Sequence, residues 1–330
     1  MKKRLSISDI ANNLGVSVTT VSFILNGKAK ERRISEALTK RVLDYINEVG
    51  YKPNQLAKSL RTGKSKTIGL LVEDISNPFF ANIADCIEKL AYGFGYHIIY
   101  CSMNNDEQRA KELIELFYDR QIDGFIIAPT EGLSGVINSL LKSSVPVVLF
   151  DRPLPDVDSY TVVSENEQGA YDGTIYLFEE KKAERIGFVT TNSNQSQMLG
   201  RLAGYNRAVD NLGLDKFIHK VDPNLTRDDI IRELSGFIEV NKLDGVLFAT
   251  NYLAINGLKA IKVNKLGVNK LISFDENSAF ELVDPPVSAI SQDIQEIARQ
   301  VVNLLINQIN GQHVDGKERN VVVPCTLVSR

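Results

Sequence analysis

Two short segments of the sequence recur further along the chain. Ile68-Gly69 is repeated as Ile186-Gly187, 118 positions later, and IDGFIIA at 122–128 is repeated as LDGVLFA at 243–249, 121 positions later. Each segment belongs to an apolar run of strand length, and helical patterns lie between the runs. Apolar strands that alternate with helices form parallel sheets covered on both faces. The repeat therefore predicts two similar α/β lobes.

Seven apolar runs are predicted strands, because they are rich in β-branched and aromatic residues. They are 68–72, 97–101, 124–128, 145–150, 186–190, 245–249 and 271–274. Helical spacing separates most of them, for example over 81–92, 108–120, 203–211 and 228–240. A helix over 292–310 and a strand over 321–324 are predicted to return to the first lobe, and the last residues to end in the second. Ligands of such folds bind beyond the carboxyl ends of the strands, so two facing lobes enclose a cleft.

The beginning of the chain has a different pattern, which predicts two short helices joined by a tight turn. Ile7, Ile10 and Leu14 keep helical spacing, Gly15 interrupts it, and the spacing resumes after Ser17, a good N-cap. In a helix-turn-helix the start of the second helix can enter the major groove of DNA. A simple αα-hairpin that buries its own core is the alternative, since short helix pairs are common.

The charge distribution favours the DNA-binding interpretation. Residues 1–64 hold 13 Lys or Arg and 5 Asp or Glu, whereas residues 65–330 hold 25 and 36, and the whole chain has a net charge of -3. A basic head on an acidic body keeps DNA binding local, because the body repels phosphates. A basic face without function is the less favoured alternative.

Several classes of protein are disfavoured by the sequence. No apolar stretch reaches the length of a membrane helix, and Ser6, Ser8 and Asp9 fall where a signal peptide needs an apolar core. The chain is therefore expected to be cytoplasmic. The 3 Cys and 3 His are scattered, which disfavours a disulfide framework or a zinc site, and no cofactor is expected.

A third helix and a hinge segment are predicted between the head and the lobes. The helix begins after Ser35, which follows a basic loop over 28–33, and ends near Gly50. Pro53 suits the start of a two-turn helix that ends near Gly63. A helix this short needs a partner to fold, such as DNA and a twin helix from a second subunit. The predicted domains are a helix-turn-helix domain at 1–50, a hinge helix and linker at 51–65, one lobe at 66–163 plus 293–322, and another at 164–292 plus 323–330.

Three segments carry a resemblance to a known family. The runs SDIANNLGVSVTTVSFILNG, GYKPN and QLAKSLRTGKSKTIGLLVEDISNPFF resemble those of the lactose/galactose repressor (LacI/GalR) family of bacterial transcription regulators. The resemblance implies an α/β fold with an N-terminal helix-turn-helix head, joined by a hinge helix to a two-lobed effector domain like a periplasmic binding protein. It implies a homodimeric repressor of a near-palindromic DNA operator, controlled by a small-molecule effector.

The resemblance also implies which residues bind DNA. Val18 and Thr19 fall where the recognition helix reads base edges, and Leu60 falls where family members insert a leucine into the minor groove. Phe23 departs from the family, which often has arginine there, so a guanine contact is expected to be missing. The implied DNA-binding residues are Ser17, Val18, Thr19, Thr20, Ser22, Phe23, Asn26, Ala57, Leu60 and Arg61.

Polar and aromatic residues that follow the predicted strands are the candidates for effector binding. Carboxylates, an arginine and amides around an aromatic ring suit a polyhydroxylated ligand such as a sugar. For any single one, a turn or cap role is equally plausible, because Asp and Asn favour such positions. By resemblance, the effector-binding residues are Asp74, Phe79, Asp151, Arg201, Asn251, Asp275 and Gln292, and Phe80 is a further candidate because it follows the first strand.

Other functions remain as alternatives to this interpretation. An enzyme is disfavoured, because Lys58 replaces a glycine of a phosphate-binding loop and Val136 replaces a glycine of a nucleophile elbow. A regulator controlled by a purine or by a partner protein would have the same architecture, and a sugar-binding protein without a DNA role is a more distant possibility. The sequence leaves open whether the effector weakens or strengthens DNA binding, and whether the dimer forms a tetramer.

Overall fold

A computed structural model describes residues 5–51, 63–312 and 319–330. The chain divides into two compact units, Met1–Lys66 and Thr67–Arg330. Among the helices of the described ranges, none is long and apolar enough to cross a membrane.

The N-terminal unit holds three helices, α1 (Ile7–Leu14), α2 (Val18–Leu25) and α3 (Glu36–Glu48). Each begins at a serine whose hydroxyl accepts a hydrogen bond from a backbone N–H of the first turn, as the sequence predicts for the last two. Gly15 ends α1 with a left-handed backbone, φ 63°, which glycine adopts without strain. The fully buried side chains of Ile10, Val21 and Val42, one from each helix, form the core of the unit.

The second unit begins with five strands and three helices. They are β1 (Thr67–Val72), α4 (Pro78–Gly93), β2 (His97–Ser102), α5 (Glu107–Asp119), β3 (Gly124–Ile127), α6 (Ser134–Lys142), β4 (Val147–Phe150) and β5 (Tyr160–Ser164). The remaining elements are α7 (Asn166–Glu179), β6 (Ile186–Thr191), α8 (Ser196–Leu212), β7 (Phe217–Val221), α9 (Arg227–Val240), β8 (Gly245–Phe248), α10 (Asn251–Asn264), β9 (Lys270–Phe274), a 3-10 turn (Ser278–Glu281), β10 (Ser288–Gln292), α11 (Ile294–Ile309), β11 (Asn320–Val323) and β12 (Cys325–Val328).

These strands form two six-stranded sheets, as the internal repeat predicts. The first has the order β11-β5-β4-β3-β1-β2 and is parallel throughout. The second has the order β12-β10-β9-β8-β6-β7 and is parallel except for β12, which runs antiparallel to β10. The chain passes from one sheet to the other at Glu165, Asp293 and Pro324. The predicted α/β fold class is confirmed.

Helices cover both faces of each sheet. In the first lobe α4 and α11 cover one face, with Ile83 and Val301 fully buried, and α5 and α6 cover the other. In the second lobe α9 and α10 cover one face and α7 and α8 the other, where Tyr205 is fully buried. Burying a large apolar side chain contributes about 1.5 to 3 kcal/mol. The strands are therefore fixed firmly enough for the loops at their carboxyl ends to position polar side chains.

Candidate functional site

Two aspartates occupy equivalent places in the two lobes. Asp151 directly follows β4 and Asp275 directly follows β9. Both have a left-handed backbone, with φ values of 67° and 69°. The N–H of Asp151 donates to the carbonyl of Val162 at 3.0 Å, and that of Asp275 to the carbonyl of Ile290 at 2.9 Å. Left-handed residues other than glycine are uncommon and concentrate at functional sites. The repeat thus presents one carboxylate from each lobe.

Arg201 connects several elements of the second lobe. Its side chain, on α8, is only 2% exposed. Its Nε donates to Oδ1 of Asn166 at 2.8 Å, and its Nη1 donates to the carbonyl of Ala249 at 2.7 Å and lies 3.6 Å from Oδ2 of Asp275. The guanidinium carbon lies 3.7 Å from the centre of the Phe274 ring. The guanidinium therefore has defined partners on α7, after β8 and after β9.

Asp275 is a buried carboxylate held by Arg201 and an amide. Burial raises its pKa, and the negative charge of Asp151 raises it further, whereas Arg201 and Gln292 lower it. Nε2 of Gln292 donates to Oδ1 of Asp275 at 2.5 Å, and Oε1 of Gln292 accepts from the hydroxyl of Ser164. Asp275 is therefore fixed by a guanidinium and an amide of its own lobe, and the amide is held in turn by Ser164, at the end of β5 in the first lobe.

Arg152 holds a similar place in the first lobe. Its side chain is 4% exposed, its Nη2 donates to Oε2 of Glu73 at 2.7 Å, and its Nε donates to Oδ2 of Asp151 at 3.0 Å. From the second lobe, Nε2 of Gln197 approaches the same Asp151 oxygen at 3.5 Å, which is long for a hydrogen bond. Within the described chain, Nη1 of Arg152 and Oε1 of Gln197 are buried without a hydrogen-bond partner. Such orphaned atoms are costly unless a ligand pairs them.

A cavity of about 310 Å³ lies where the chain first passes between the lobes. Asp151 and Gln197 line it, together with Ser164 and Asn166, which bond to Gln292 and Arg201. Its volume is at the lower end of the range for small-molecule sites. The cavity therefore adjoins both networks of the cleft.

The other candidate effector residues lie on separate elements. Asp74 follows β1 and accepts hydrogen bonds from the N–H and the hydroxyl of Ser76, at 2.8 and 2.7 Å, so it closes a turn. Burial and the charge of Asp74 raise the pKa of Tyr100 to about 12. Asn251, at the start of α10, is 2% exposed, and its Nδ2 lies 3.4 Å from the carbonyl of Glu276.

The two candidate aromatic residues pack together at the start of α4. The ring centres of Phe79 and Phe80 are 5.1 Å apart in an edge-to-face arrangement, and Phe80 packs in the same way against Phe150 at 6.3 Å. The exposed fractions of Phe79 and Phe80 are 7% and 4%. These rings belong to the core of the first lobe, which leaves little aromatic surface for a ligand.

Two cleft residues, Glu73 and Gln197, were missed by the sequence-based prediction. Glu73 lies beside Asp74 at the end of β1, so the same strand-end signal applied to it. Gln197 is four residues before Arg201 on α8, and helical spacing places the two on one face.

On the helix-turn-helix, the structure separates outward-facing residues from those that cap the helix. Val18 is 42% exposed and Thr19 is also exposed. Oγ of Ser17 accepts from the N–H of Thr20 at 3.0 Å and lies 2.8 Å from its hydroxyl oxygen. Val18 and Thr19 are thus free to meet another molecule, whereas Ser17 and Thr20 also stabilise the start of α2.

The end of α2 presents the remaining described candidates. Nδ2 of Asn26 donates to the carbonyl of Ser22 at 2.6 Å. The Phe23 ring lies under the guanidinium of Arg32, whose carbon is 4.8 Å from the ring centre. The predicted DNA-binding residues Ala57, Leu60 and Arg61, and most of the predicted hinge, lie outside the described residues.

Cys86, Cys101 and Cys325 are free thiols. In the ranges that the structure describes, no group of three or more His, Cys, Asp or Glu side chains could hold a metal ion.

Both units match known protein families. Residues 6–54 match the model described as bacterial regulatory proteins, lacI family. Residues 65–234 match periplasmic binding proteins and the sugar binding domain of the LacI family, and residues 176–330 match a periplasmic binding protein-like domain. The HTH-type transcriptional regulator RegA of Clostridium saccharobutylicum is 31% identical over 98% of both chains. The chain belongs to the LacI family. This LacI-family protein is a DNA-binding transcriptional regulator, not an enzyme, and regulators of this kind act in the cytoplasm.

Solved structures show the same fold. The Lac repressor dimer bound to operator and the anti-inducer ONPF is 19% identical, with a TM-score of 0.85 over 99% of this chain and 98% of that one. A periplasmic binding protein/LacI transcriptional regulator from Alkaliphilus metalliredigens QYMF, complexed with D-xylulofuranose, is 23% identical, with a TM-score of 0.70 over 80% of this chain and 98% of that one. These similarities confirm the predicted fold.

Proposed function

We propose that this LacI-family regulator is a homodimeric repressor whose affinity for a near-palindromic operator is controlled by a neutral, polyhydroxylated ligand, a sugar, bound between its lobes. The pair of aspartates Asp151 and Asp275 carries the proposal. They follow equivalent strands of the two lobes and share a left-handed backbone, and Nε2 of Gln197, from the second lobe, lies 3.5 Å from Oδ2 of Asp151. A ligand with several hydroxyl groups can donate to both carboxylates at once.

The charge balance of the cleft supports a neutral ligand. Arg152 pairs with Glu73 and Asp151, and Arg201 pairs with Asp275. Two guanidinium groups are therefore matched by three carboxylates, which leaves no spare positive charge for a phosphate or a carboxylate of the ligand. The unpaired Nη1 of Arg152 and Oε1 of Gln197 suit a hydroxyl group, which both accepts and donates.

The family comparisons support the same class of ligand. The matched model includes the sugar binding domain of the LacI family, and one solved structure of the same fold was complexed with D-xylulofuranose. The buried rings of Phe79 and Phe80 offer little surface on which a purine could stack.

The DNA-binding part of the proposal rests on the exposed start of α2. Val18 can contact a thymine methyl group, and Thr19 can donate or accept at a base edge. Two copies related by a two-fold axis need two symmetric half-sites, and the Lac repressor of the same fold is a dimer on its operator. An effector that prefers one arrangement of the lobes would shift the population able to bind DNA.

A thermal-shift screen of the full-length protein tests the ligand class. We expect a neutral monosaccharide to raise the melting midpoint, and sugar phosphates, sugar acids and purines to leave it unchanged. A ligand at about 100 times its Kd stabilises by roughly 2.7 kcal/mol, or about 5 to 10 °C for a domain of this size. Asp151→Asn should abolish the shift, because an amide cannot replace a carboxylate that accepts from Arg152 and from the ligand.

The matched control is Asp85→Asn on the outer surface of α4. Its carboxylate is 58% exposed and, among the described residues, pairs only with Lys89, so the ligand-induced shift should stay as in the wild type. A sugar shift that survives Asp151→Asn would locate the site elsewhere. A shift produced only by a purine or a sugar phosphate would contradict the proposed ligand class.

A further inference from the structure

An arginine from the loop after the recognition helix lies over an aromatic ring of that helix. The guanidinium carbon of Arg32 is 4.8 Å from the centre of the Phe23 ring. Phe23 belongs to α2, and Arg32 is exposed. Across residues 5–51, no carboxylate or carbonyl pairs with this guanidinium, so its contact within that range is the aromatic face.

The loop that carries Arg32 has a defined structure. Ala29 and Ile34 pack against the core of the unit. The N–H of Arg32 donates to the carbonyl of Lys28 at 3.1 Å, and the N–H of Ile34 donates to that of Ala29 at 2.9 Å. Because apolar residues on both sides of Arg32 are anchored, the backbone directs its side chain toward α2.

Phe23 lies on the side of α2 that faces outward. It follows the exposed Thr19 by four residues, which places the two on the same helical face one turn apart. The guanidinium of Arg32 therefore lies one turn beyond the residue proposed to read base edges. A cation at this position lies beside the helical face that carries Thr19 and would meet DNA.

A stacked guanidinium is well suited to contact DNA. Its face covers the ring while its N–H groups, which lie in the plane, stay available for two parallel hydrogen bonds. Guanine O6 and N7, or two phosphate oxygens, accept such a pair. Stacking also limits the orientations of the side chain, so less freedom is lost when the contact forms.

We propose that Arg32 contacts operator DNA through its guanidinium N–H groups and that Phe23 is the positioning residue that holds it. The proposal rests on the proposed role of α2 as the recognition helix. It adds a cation from the loop to the residues that the sequence pattern predicted on the helix itself.

The test uses the full-length protein and DNA selected by it. Wild-type protein would enrich its binding sites from a duplex library with a randomised central segment, and the enriched duplex would be used in titrations. Arg32→Ala should weaken binding by a factor of about 10 to 100. Phe23→Leu alone should also weaken binding. Added to Arg32→Ala, it should cause little further loss, because both changes remove the same contact.

Lys30→Ala is the matched control. Lys30 is an exposed cation of the same loop, and its removal should cost less than about threefold, as for a solvated charge near DNA. Equal losses for Arg32→Ala and Lys30→Ala would overturn the proposal. The proposal would also be overturned if the two fold-losses of DNA affinity multiplied in the Phe23→Leu, Arg32→Ala double variant while the melting midpoints of all variants stayed at the wild-type value.

Two further measurements identify the atom that Arg32 meets. If enrichment by Arg32→Ala loses a guanine preference in each half-site, the contact is to a base edge. If the enriched sequence is unchanged while the slope of log affinity against log salt falls by about one, the contact is to a phosphate. Failure of the wild type to enrich any sequence would instead contradict the proposed DNA-binding function itself.

Discussion

Replacing Arg201 with methionine is expected to lower the free energy of unfolding of the two-lobed unit by about 3 to 5 kcal/mol, because it leaves a buried carboxylate without its cation. Asp275 would lose the guanidinium 3.6 Å away, and the carbonyl of Ala249 and Oδ1 of Asn166 would lose their donors. Methionine keeps apolar contact with the Phe274 ring, so the loss reports mainly on polar partners. Urea unfolding followed by circular dichroism measures it.

The size of this loss depends on pH in a defined direction. Burial raises the pKa of Asp275 in the folded protein above its unfolded-state value of about 3.9. The folded protein therefore loses stability as the pH rises from the unfolded-state pKa through the folded-state pKa, because the buried carboxyl must ionise. The positive charge of Arg201 lowers the pKa of Asp275 and so opposes the effect of burial. Without Arg201 the folded-state pKa moves further up, so the deficit of Arg201→Met should be smallest at or below about pH 4 and should grow as the pH rises from there.

A double variant separates the ion pair from packing. Arg201→Met combined with Asp275→Asn removes the buried charge together with its partner, so part of the stability should return and the deficit should lose its pH dependence. A deficit that is equally large at all pH values in Arg201→Met alone would show that packing, not the carboxylate, dominates.

The burial of Arg201 also determines which variants can test effector binding. Because its side chain is 2% exposed and has partners on three elements, its loss affects folding and ligand response together. Asp151 has fewer partners, and Asn has nearly the same shape. Asp151→Asn is therefore the better probe of the ligand, whereas Arg201→Met is the better probe of the second lobe.

Most of the architecture could be predicted because its central strands are covered on both faces. The runs at 68–72, 124–128 and 245–249 are continuous apolar stretches, and the structure has β1, β3 and β8 there. β7 and β12 were missed because they lie at sheet edges and are partly exposed, so polar residues such as those of FIHKV interrupt the apolar signal. β10, SAISQ, is mostly buried but lacks large side chains. β5 has a strand-like sequence, YTVVS, and was nonetheless not singled out.

The site was predictable only in part, because strand ends can be located from sequence but side-chain partners cannot. Asp151 and Asp275 directly follow apolar runs, which identified both. The pairing of Arg152 with Glu73 joins residues 79 positions apart, and no periodicity encodes it. The approach of Gln197 to Asp151 depends on how the two lobes are placed. Such contacts require the three-dimensional structure.

Phe23 illustrates the same limit on the helix-turn-helix. From sequence alone, phenylalanine at this position predicts the loss of a guanine contact, because the family often has arginine there. The structure places Arg32 over its ring. If Arg32 contacts the operator as proposed, the cation has not been lost but is supplied by the loop.

Replacing Gly204 with alanine is expected to be among the most destabilising single changes in the second lobe. A Cβ atom at Gly204, on α8, would lie 2.1 Å from the carbonyl oxygen of Glu167 and 2.8 Å from the backbone nitrogen of Tyr171, both on α7. Backbone atoms cannot move aside by changing rotamer, so the two helices must separate. We expect a loss of about 3 kcal/mol in the free energy of unfolding, measured by urea unfolding.

Gly236→Ala provides the opposite case within the same lobe. Gly236 is exposed on α9, and a Cβ there would meet nothing within 4 Å, so the change should stabilise by roughly 0.5 to 1 kcal/mol through helix propensity alone. Because Arg201 on α8 donates to Asn166 on α7, separation of the helices by Gly204→Ala should also weaken the ligand-induced thermal shift, whereas Gly236→Ala should preserve it. Stabilisation by both changes would contradict the close packing of α7 on α8, and with it the support that this packing gives to Arg201.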